Sequence, residues 1–440
     1  MRTKFVVSII VVAAAVASTA LVVLLFLRST NPTIIVWGPE GGPMLHDDTL
    51  DVELFAEGLD SPTSMQFLDD GTLLVLEKNS GQVRVVLDGK LLLEEPAIQV
   101  EVATGPEQGL LGISIWNRNN DTTTSVFLYL TENYHDDDDE KPRNLVYKYI
   151  YDEREKTLEN KTLILDLPGE PGPFHNGGKI AIGPHDGYIY AVIGDVSSGG
   201  GMLDNQIPGR PPDDKSVILR VDRDTGTPVQ DNPFYNNNNN YTGDMEKLKR
   251  YYAYGIRNSF GMDFEPVTGK LWITENGVHV YDEINIVEPG FNSGWHKVMG
   301  PIGRTNMTVE NDLVIFDGAA KYQDPIFSWY APVGVTDIEF LNSTKLGDKY
   351  NGNLFVGDIN YGNLYFFEVN EDRTGVTFQD QRLFDLVADP VIEGEDSELS
   401  SLILGQGFGR ITDIETGPDG LLYILTYEDG KIYRITKEEG

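Results

Sequence analysis

One pattern recurs along this chain and constrains its fold more than any other feature. A short strand of alternating apolar residues enters a glycine-containing turn with an acidic residue, and a second strand leaves it. Residues 64–68, the turn Asp69-Asp70-Gly71 and residues 72–76 make the first copy. Residues 179–183 and 188–193 flank Pro184-His185-Asp186-Gly187, residues 261–265 and 270–274 flank 266–269, and residues 411–416 and 421–426 flank 417–420. Two degenerate copies, 110–129 around 117–124 and 336–356 around a longer turn, fill the gaps. A third strand follows most copies, at 82–87, 217–221, 283–287, 363–369 and 431–435. That makes six antiparallel meanders of roughly 40 to 80 residues, with no helical period after residue 28. Short sheets at this spacing predict an all-β, six-bladed β-propeller; a β-sandwich or two smaller β-domains is the competing arrangement. Residues 51–56 lie outside the first hairpin and are expected to supply the outer strand of the last blade, which removes an exposed edge.

The N-terminal end differs in kind. Arg2 and Lys4 precede an uncharged run over 5–27, and 23 residues at about 1.5 Å rise reach about 35 Å, enough for a bilayer core. The expectation is a transmembrane helix within 1–28, a Pro- and Gly-rich tether over 29–48 and the propeller over 49–440. A cleaved signal ending near Ala15-Val16-Ala17 is the alternative. The positive-inside rule then places the C-terminal domain outside the cytoplasm, on the cell membrane or secreted after cleavage. Sequons at Asn120, Asn160, Asn240, Asn306 and Asn342 are compatible with export. A formal net charge of -35 repels phosphate backbones and argues against a nucleic-acid partner. The absence of cysteine excludes disulfides, thiolate metal sites, cysteine nucleophiles and a lipid-modified N-terminal cysteine. Four long turn-rich segments, 196–216, 230–250, 296–328 and 379–407, are candidates for functional loops. The runs 136–139 (Asp) and 236–240 (Asn) read as solvated loop tips.

Counting residues through the hairpins predicts which side chains meet. Arms of equal length bring His175 and Asp195 back to one end. The same count sets Arg257 and Asn258 beside 275–277, Arg410 beside Tyr427, and Thr63 beside Glu77, with Glu107, Asp358 and Asn360 at the corresponding ends of their units. If the blades are equivalent, all of these face one mouth of the central channel. A histidine beside a carboxylate suits a general base acting on a sugar hydroxyl, and equally suits a structural pair at a blade corner. Arg257 suits an anion, and equally a structural pair with Glu275.

These same stretches resemble the glucose/sorbosone dehydrogenase family, the soluble PQQ-dependent aldose dehydrogenases. The matching pieces are Gly109-Leu110-Leu111-Gly112, His175-Asn176-Gly177-Gly178-Lys179, Ile193-Gly194-Asp195 and Tyr254-Gly255-Ile256-Arg257-Asn258. Trp272-Ile273-Thr274-Glu275-Asn276-Gly277, Asp282-Glu283-Ile284-Asn285, Asn292-Ser293-Gly294-Trp295 and Gly409-Arg410-Ile411-Thr412-Asp413 follow, so that the likeness covers most of 51–436. The resemblance implies oxidation of an aldose at its C1 hydroxyl to a lactone, with hydride passing to PQQ bound over Ca²⁺ and electrons going on to an unidentified acceptor. It makes His175 the base, Asp195 its partner, and Arg257 and Asn258 cofactor contacts, with Arg257 near the reacting quinone oxygen. Glu107, Asn360 and Arg410 fall at further cofactor-binding positions, and Ca²⁺ would take backbone carbonyls near Gly277 and Val278. The chain departs from the pattern at four places. Glu107 stands for a glutamine, Asn360 for a lysine, Thr412 for a second arginine and Val278 for a proline. Two cations are thereby lost from a site that must hold an anion, and Lys321 and Arg304 in the long loops are candidates to replace them. A non-catalytic propeller binding glycans or proteins, and a lactonase with Ca²⁺ on Glu77 and Asp195, are the other readings of the same residues.

Overall fold

The computed structural model describes residues 41–438 except 93–94, 118–122, 137–138, 237–245 and 391–396, and leaves out the side chains of 92, 134–140 and 317. The described strands fall into six sheets. Their innermost strands are Pro62–Phe67, Leu110–Trp116, Ile180–Ile182, Met262–Phe264, Val335–Leu341 and Ile411–Thr416. These strands touch in that order, and the last returns to the first. The result is an all-β propeller around a central channel.

The second strand of a sheet has neighbours on both faces, so its side chains are buried whichever way they point. Leu73–Glu77, Ile189–Ile193, Leu271–Glu275 and Leu422–Thr426 are buried at every position. They therefore read as continuous apolar runs rather than alternating ones. Six hydrophobic clusters fill the gaps, one between each pair of neighbouring sheets, including Met65, Leu73 and Val75 of the first against Leu425 and Ile432 of the last.

The chain closes the ring at its ends. Leu50–Glu57 pairs antiparallel with Lys431–Lys437 and becomes the outer strand of the last sheet, as its sequence suggests. Part of the segment expected to be a tether is also a strand, because Met44–Leu45 pairs with Ile403–Gln406 of the fifth sheet. The second unit, degenerate in sequence, holds the longest strands, Thr124–Asp136 and Asp139–Asp152. The expected transmembrane segment within 1–28 lies outside the described residues, as do Asn120, Asn240 and residues 237–240 of the Asn run. No helix among the described residues is long and apolar enough to cross a membrane, which counts against the expected single-pass placement.

Acidic side chains on the inner strands tie one sheet to the next. Asp263 accepts from the Phe340 N–H, Asp337 from Ile414, Glu339 from Thr416 and Asp413 from Met65, at 2.8, 3.1, 3.0 and 2.5 Å. Lys179 reaches across the channel to Asp337 at 2.8 Å and Asp413 at 2.5 Å. Burial alone would weaken the lysine's hold on its proton, but the two carboxylates beside it more than reverse that, and it stays charged.

This charge accumulation fixes a pH dependence. Burial pushes Asp263 up to about 6, against the opposing N–H groups of Phe340 and Phe264. Burial likewise pushes Asp358 up to about 7, against the Tyr361 N–H and the Tyr365 hydroxyl. Unfolded, both titrate near pH 4. Between that value and the raised ones the folded chain holds protons that the unfolded chain has released, so stability falls as pH rises through the window. Each pH unit crossed costs about 1.4 kcal/mol per group. Asp263→Asn keeps an acceptor for Phe340 and should flatten the slope and raise the urea midpoint at pH 8. An unchanged slope from pH 4.5 to 7 in the variant would count against Asp263 as a source.

Candidate active site

The third sheet builds the centre of the site. His175 precedes its inner strand, and Asp195 follows the adjacent strand Ile189–Ile193. Between them sits Gly194, where an added Cβ would lie 2.6 Å from the His175 carbonyl and 2.3 Å from the Arg257 carbonyl. Only a glycine lets these backbone segments close to this distance. Asp195 N–H then donates to Arg257 O at 3.0 Å, which draws the third element of the site against the first two.

His175 stands in left-handed backbone, φ 61°, which costs a non-glycine residue about 1 kcal/mol or more. It is held there by its own N–H, which donates to Glu107 Oε2 at 2.6 Å. The same oxygen takes the Asn258 side-chain amide at 3.0 Å, and Asn258 Oδ1 accepts from Gly177 N–H at 3.2 Å. Both groups on Glu107 are donors, so a carboxylate serves where the family pattern has an amide.

The imidazole is fixed at both nitrogens. Nδ1 lies 2.6 Å from Asp195 Oδ1, and Arg257 approaches Nε2 at 2.8 Å. A guanidinium only donates, so Nε2 is the acceptor and Nδ1 carries the proton. Asp195 is itself satisfied, with Trp295 Nε1 on Oδ2 at 3.0 Å and Ser197 N–H on Oδ1 at 2.7 Å. Burial would raise its pKa, but the hydrogen bond with His175, with the Ser197 and Trp295 donors, carries it below the ordinary value. Asp195 is therefore ionised and able to stabilise a protonated imidazole.

Arg257 does not pair with Glu275 through its guanidinium. Its main-chain N–H donates to Glu275 Oε1 at 2.8 Å, while NH1 goes to the Asn276 carbonyl at 2.8 Å and the group stacks 5.5 Å from the Trp295 ring. Its Nε is buried and has no hydrogen-bond partner among the described residues, and neither has Asn176 Nδ2. Burial lowers the arginine's pKa, against the attraction of Asp195, Glu107 and Glu275.

A cavity of about 250 Å³ opens beside these groups, with Lys78, Glu107, Phe260, Ile359, Arg410 and Tyr427 among its lining. Arg410 is half exposed and pairs with Glu428 at 3.2 Å. Asn360 is exposed, and its neighbour Ile359 faces the cavity instead. The loop cations expected as replacements are placed otherwise: Arg304 is bound by Asp385 and Asp389, and Lys321 is exposed on its strand. Gly277 donates to Asp282 Oδ1 at 2.9 Å and is crowded by the Val280 and Tyr281 carbonyls, each 2.2 Å from an added Cβ, while Val278 is exposed. Sequence reasoning assigned no role to Trp295 or Lys78. Trp295 lay within a recognised motif, and Lys78 directly follows Glu77 at a hairpin end already assigned to this mouth.

Comparison with known proteins gives the chain's relatives. The chain is similar to the aldose sugar dehydrogenase YliI of Escherichia coli K12, 26% identical over 394 residues that span 88% of this chain and 93% of that protein. A solved oxidoreductase of Thermus thermophilus, described as a glucose dehydrogenase, is 26% identical with TM-score 0.64, covering 88% of this chain and 99% of that one. The PQQ-bound aldose sugar dehydrogenase of Streptomyces coelicolor shares the fold, at 22% identity and TM-score 0.59 over 89% of this chain and 99% of that one. The sequence pattern described as Glucose / Sorbosone dehydrogenase matches residues 59–434, and the chain belongs to that family.

Proposed function

We propose that this protein oxidises aldose sugars at the C1 hydroxyl, giving the lactone, with PQQ and Ca²⁺ held at the mouth that carries His175. In this reading residues 49–440 form a six-bladed propeller, one sheet to a blade. The observation that carries it is the hydrogen-bonded row Asp195–His175–Arg257, in which Nε2 of the imidazole is an acceptor and Nδ1 is held by an ionised carboxylate. The donors at the site suit the cofactor. Lys78, Arg257 and Arg410 present positive charge to a tricarboxylate, and Arg257 Nε and Asn176 Nδ2 are buried donors in need of an acceptor. Carbonyl oxygens gathered around Gly277 suit a hard cation.

PQQ, when bound, supplies an ortho-quinone that accepts the hydride from C1. The chain's own residues do the rest. His175 Nε2 would take the hydroxyl proton once Arg257 NH2 moves off the ring. Asp195 holds Nδ1–H and balances the charge that the ring gains. Trp295 and Ser197 keep Asp195 from turning away. A lactonase with Ca²⁺ on Glu77 and Asp195 is less suited to these residues, because Glu77 is engaged by Asp60 N–H, Ser80 and Arg84.

Titrating the purified full-length protein with PQQ and Ca²⁺ should give a saturable change in the cofactor spectrum. Adding aldoses with an artificial electron acceptor should then reduce the dye. A protein that shows neither response removes the proposal.

A further inference from the structure

We infer that Lys78 is an anion-binding residue of this site, contributing a cation that Asn360 and Thr412 do not. The inference rests on the cofactor reading above and assigns to Lys78 one carboxylate of the bound polycarboxylate quinone.

Lys78 is 6% exposed and lines the cavity across from His175's supporting residue Glu107. Its Nζ donates to the Gly105 carbonyl at 2.8 Å and to Asn79 Oδ1 at 3.0 Å. An ammonium has three donors, and no protein acceptor takes the third among the described residues. Nor does it form an ion pair with a carboxylate among those residues. The preceding Glu77 is held by Asp60, Ser80 and Arg84, and Glu107 by His175 and Asn258. Glu107 attracts Lys78 without pairing with it, and burial lowers the lysine's pKa more than that attraction raises it.

A buried ammonium left without a counter-ion is costly, and proteins keep one mainly where a ligand supplies the charge. Its position is set by the backbone. Lys78 N–H donates to Ser61 O, and Lys78 O accepts from Leu110 N–H at 2.9 Å. Gly109, in φ 145° backbone, abuts the stem, with an added Cβ only 2.6 Å from Lys78 Cγ. A side chain at 109 would push the lysine out of this position. By contrast Arg410 is half exposed and already paired, and Thr412 spends its hydroxyl on the Pro62 carbonyl at 3.0 Å. Lys78 is thus a buried cation of the mouth, besides Arg257, that has donor capacity to spare.

The test is equilibrium binding to the full chain in Ca²⁺ buffer, with PQQ and its trimethyl ester as probes. Lys78→Met should weaken PQQ about 10- to 100-fold, the loss of one charge-assisted hydrogen bond. Lys78→Arg should retain most of the affinity. Lys78→Gln keeps donors for Gly105 and Asn79 without the charge, and guards against a Met variant that does not fold. The ester should bind the wild type more weakly than PQQ does, and lose little further affinity in Lys78→Met or Lys78→Gln. Equal losses for PQQ and ester, or no loss for either, would overturn the assignment while leaving the cofactor reading intact. Failure of the wild type to bind PQQ overturns both.

Discussion

Replacing Lys179 with methionine should destabilise the fold by about 3–5 kcal/mol near neutral pH, because it strands buried charge. Asp337 and Asp413, each 1% exposed, are the carboxylates that Lys179 bridges. They cannot turn to solvent, since each also accepts a main-chain N–H of the neighbouring inner strand. Met removes the only cation that ion-pairs with either of them among the described residues, and leaves their mutual repulsion. The loss should shrink on acidification. Burial already pushes Asp337 up, and without the opposing charge of Lys179 it is expected to keep its proton to higher pH, which relieves the repulsion. Urea unfolding of wild type and Lys179→Met at pH 5 and pH 8 reads both effects. A variant as stable as wild type at pH 8, or one whose deficit is equal at the two pH values, would show that Lys179 does not compensate these charges. Lys179→Arg keeps the charge and should lose less.

The ring also shows why some features were legible in sequence and others were not. Counting along equal hairpin arms works because a strand advances uniformly, so His175 and Asp195 meet as counted, at 2.6 Å. A different argument, that an added outer strand removes an exposed edge, put residues 51–56 on the last sheet, where Leu50–Glu57 lies. Counting fails where a one-residue offset reverses the face of a strand. At the end of the fifth sheet Ile359 faces the cavity and Asn360 the solvent. It also fails for long side chains whose reach exceeds the strand spacing. Arg257 could be placed beside Glu275, but not the choice of its guanidinium for Nε2 of His175 and the Asn276 carbonyl. Acidic residues recur two apart at Asp337 and Glu339 and at Asp413 and Glu415, and the recurrence was visible. Its meaning needs the ring, because Asp337, Glu339 and Asp413 each find their donor on the next sheet.

Turnover should fall by about 10²- to 10⁴-fold in His175→Asn, the range expected for loss of a general base, with the fold and the binding of PQQ largely kept. Asparagine is the informative substitution because of the backbone. At φ 61° alanine adds left-handed strain, whereas asparagine tolerates that region several-fold better than most residues. The main-chain contacts that organise the mouth survive either change, since the Glu107 carboxylate accepts the N–H of residue 175 and not its ring. The amide of asparagine can occupy part of the space beside Asp195 and Arg257, but it cannot take a proton from a sugar hydroxyl. His175→Ala should lose at least as much turnover, with a small additional loss of stability. The measurement is steady-state oxidation of an aldose with a dye acceptor, beside a PQQ binding isotherm and circular dichroism of each variant. Turnover within a few-fold of wild type in a folded, PQQ-saturated His175→Asn protein would remove His175 as the base. Proton removal would then have to fall to another acceptor at the mouth, of which Glu107, ionisable and half-buried on the cavity wall, lies on the other side of the His175 backbone.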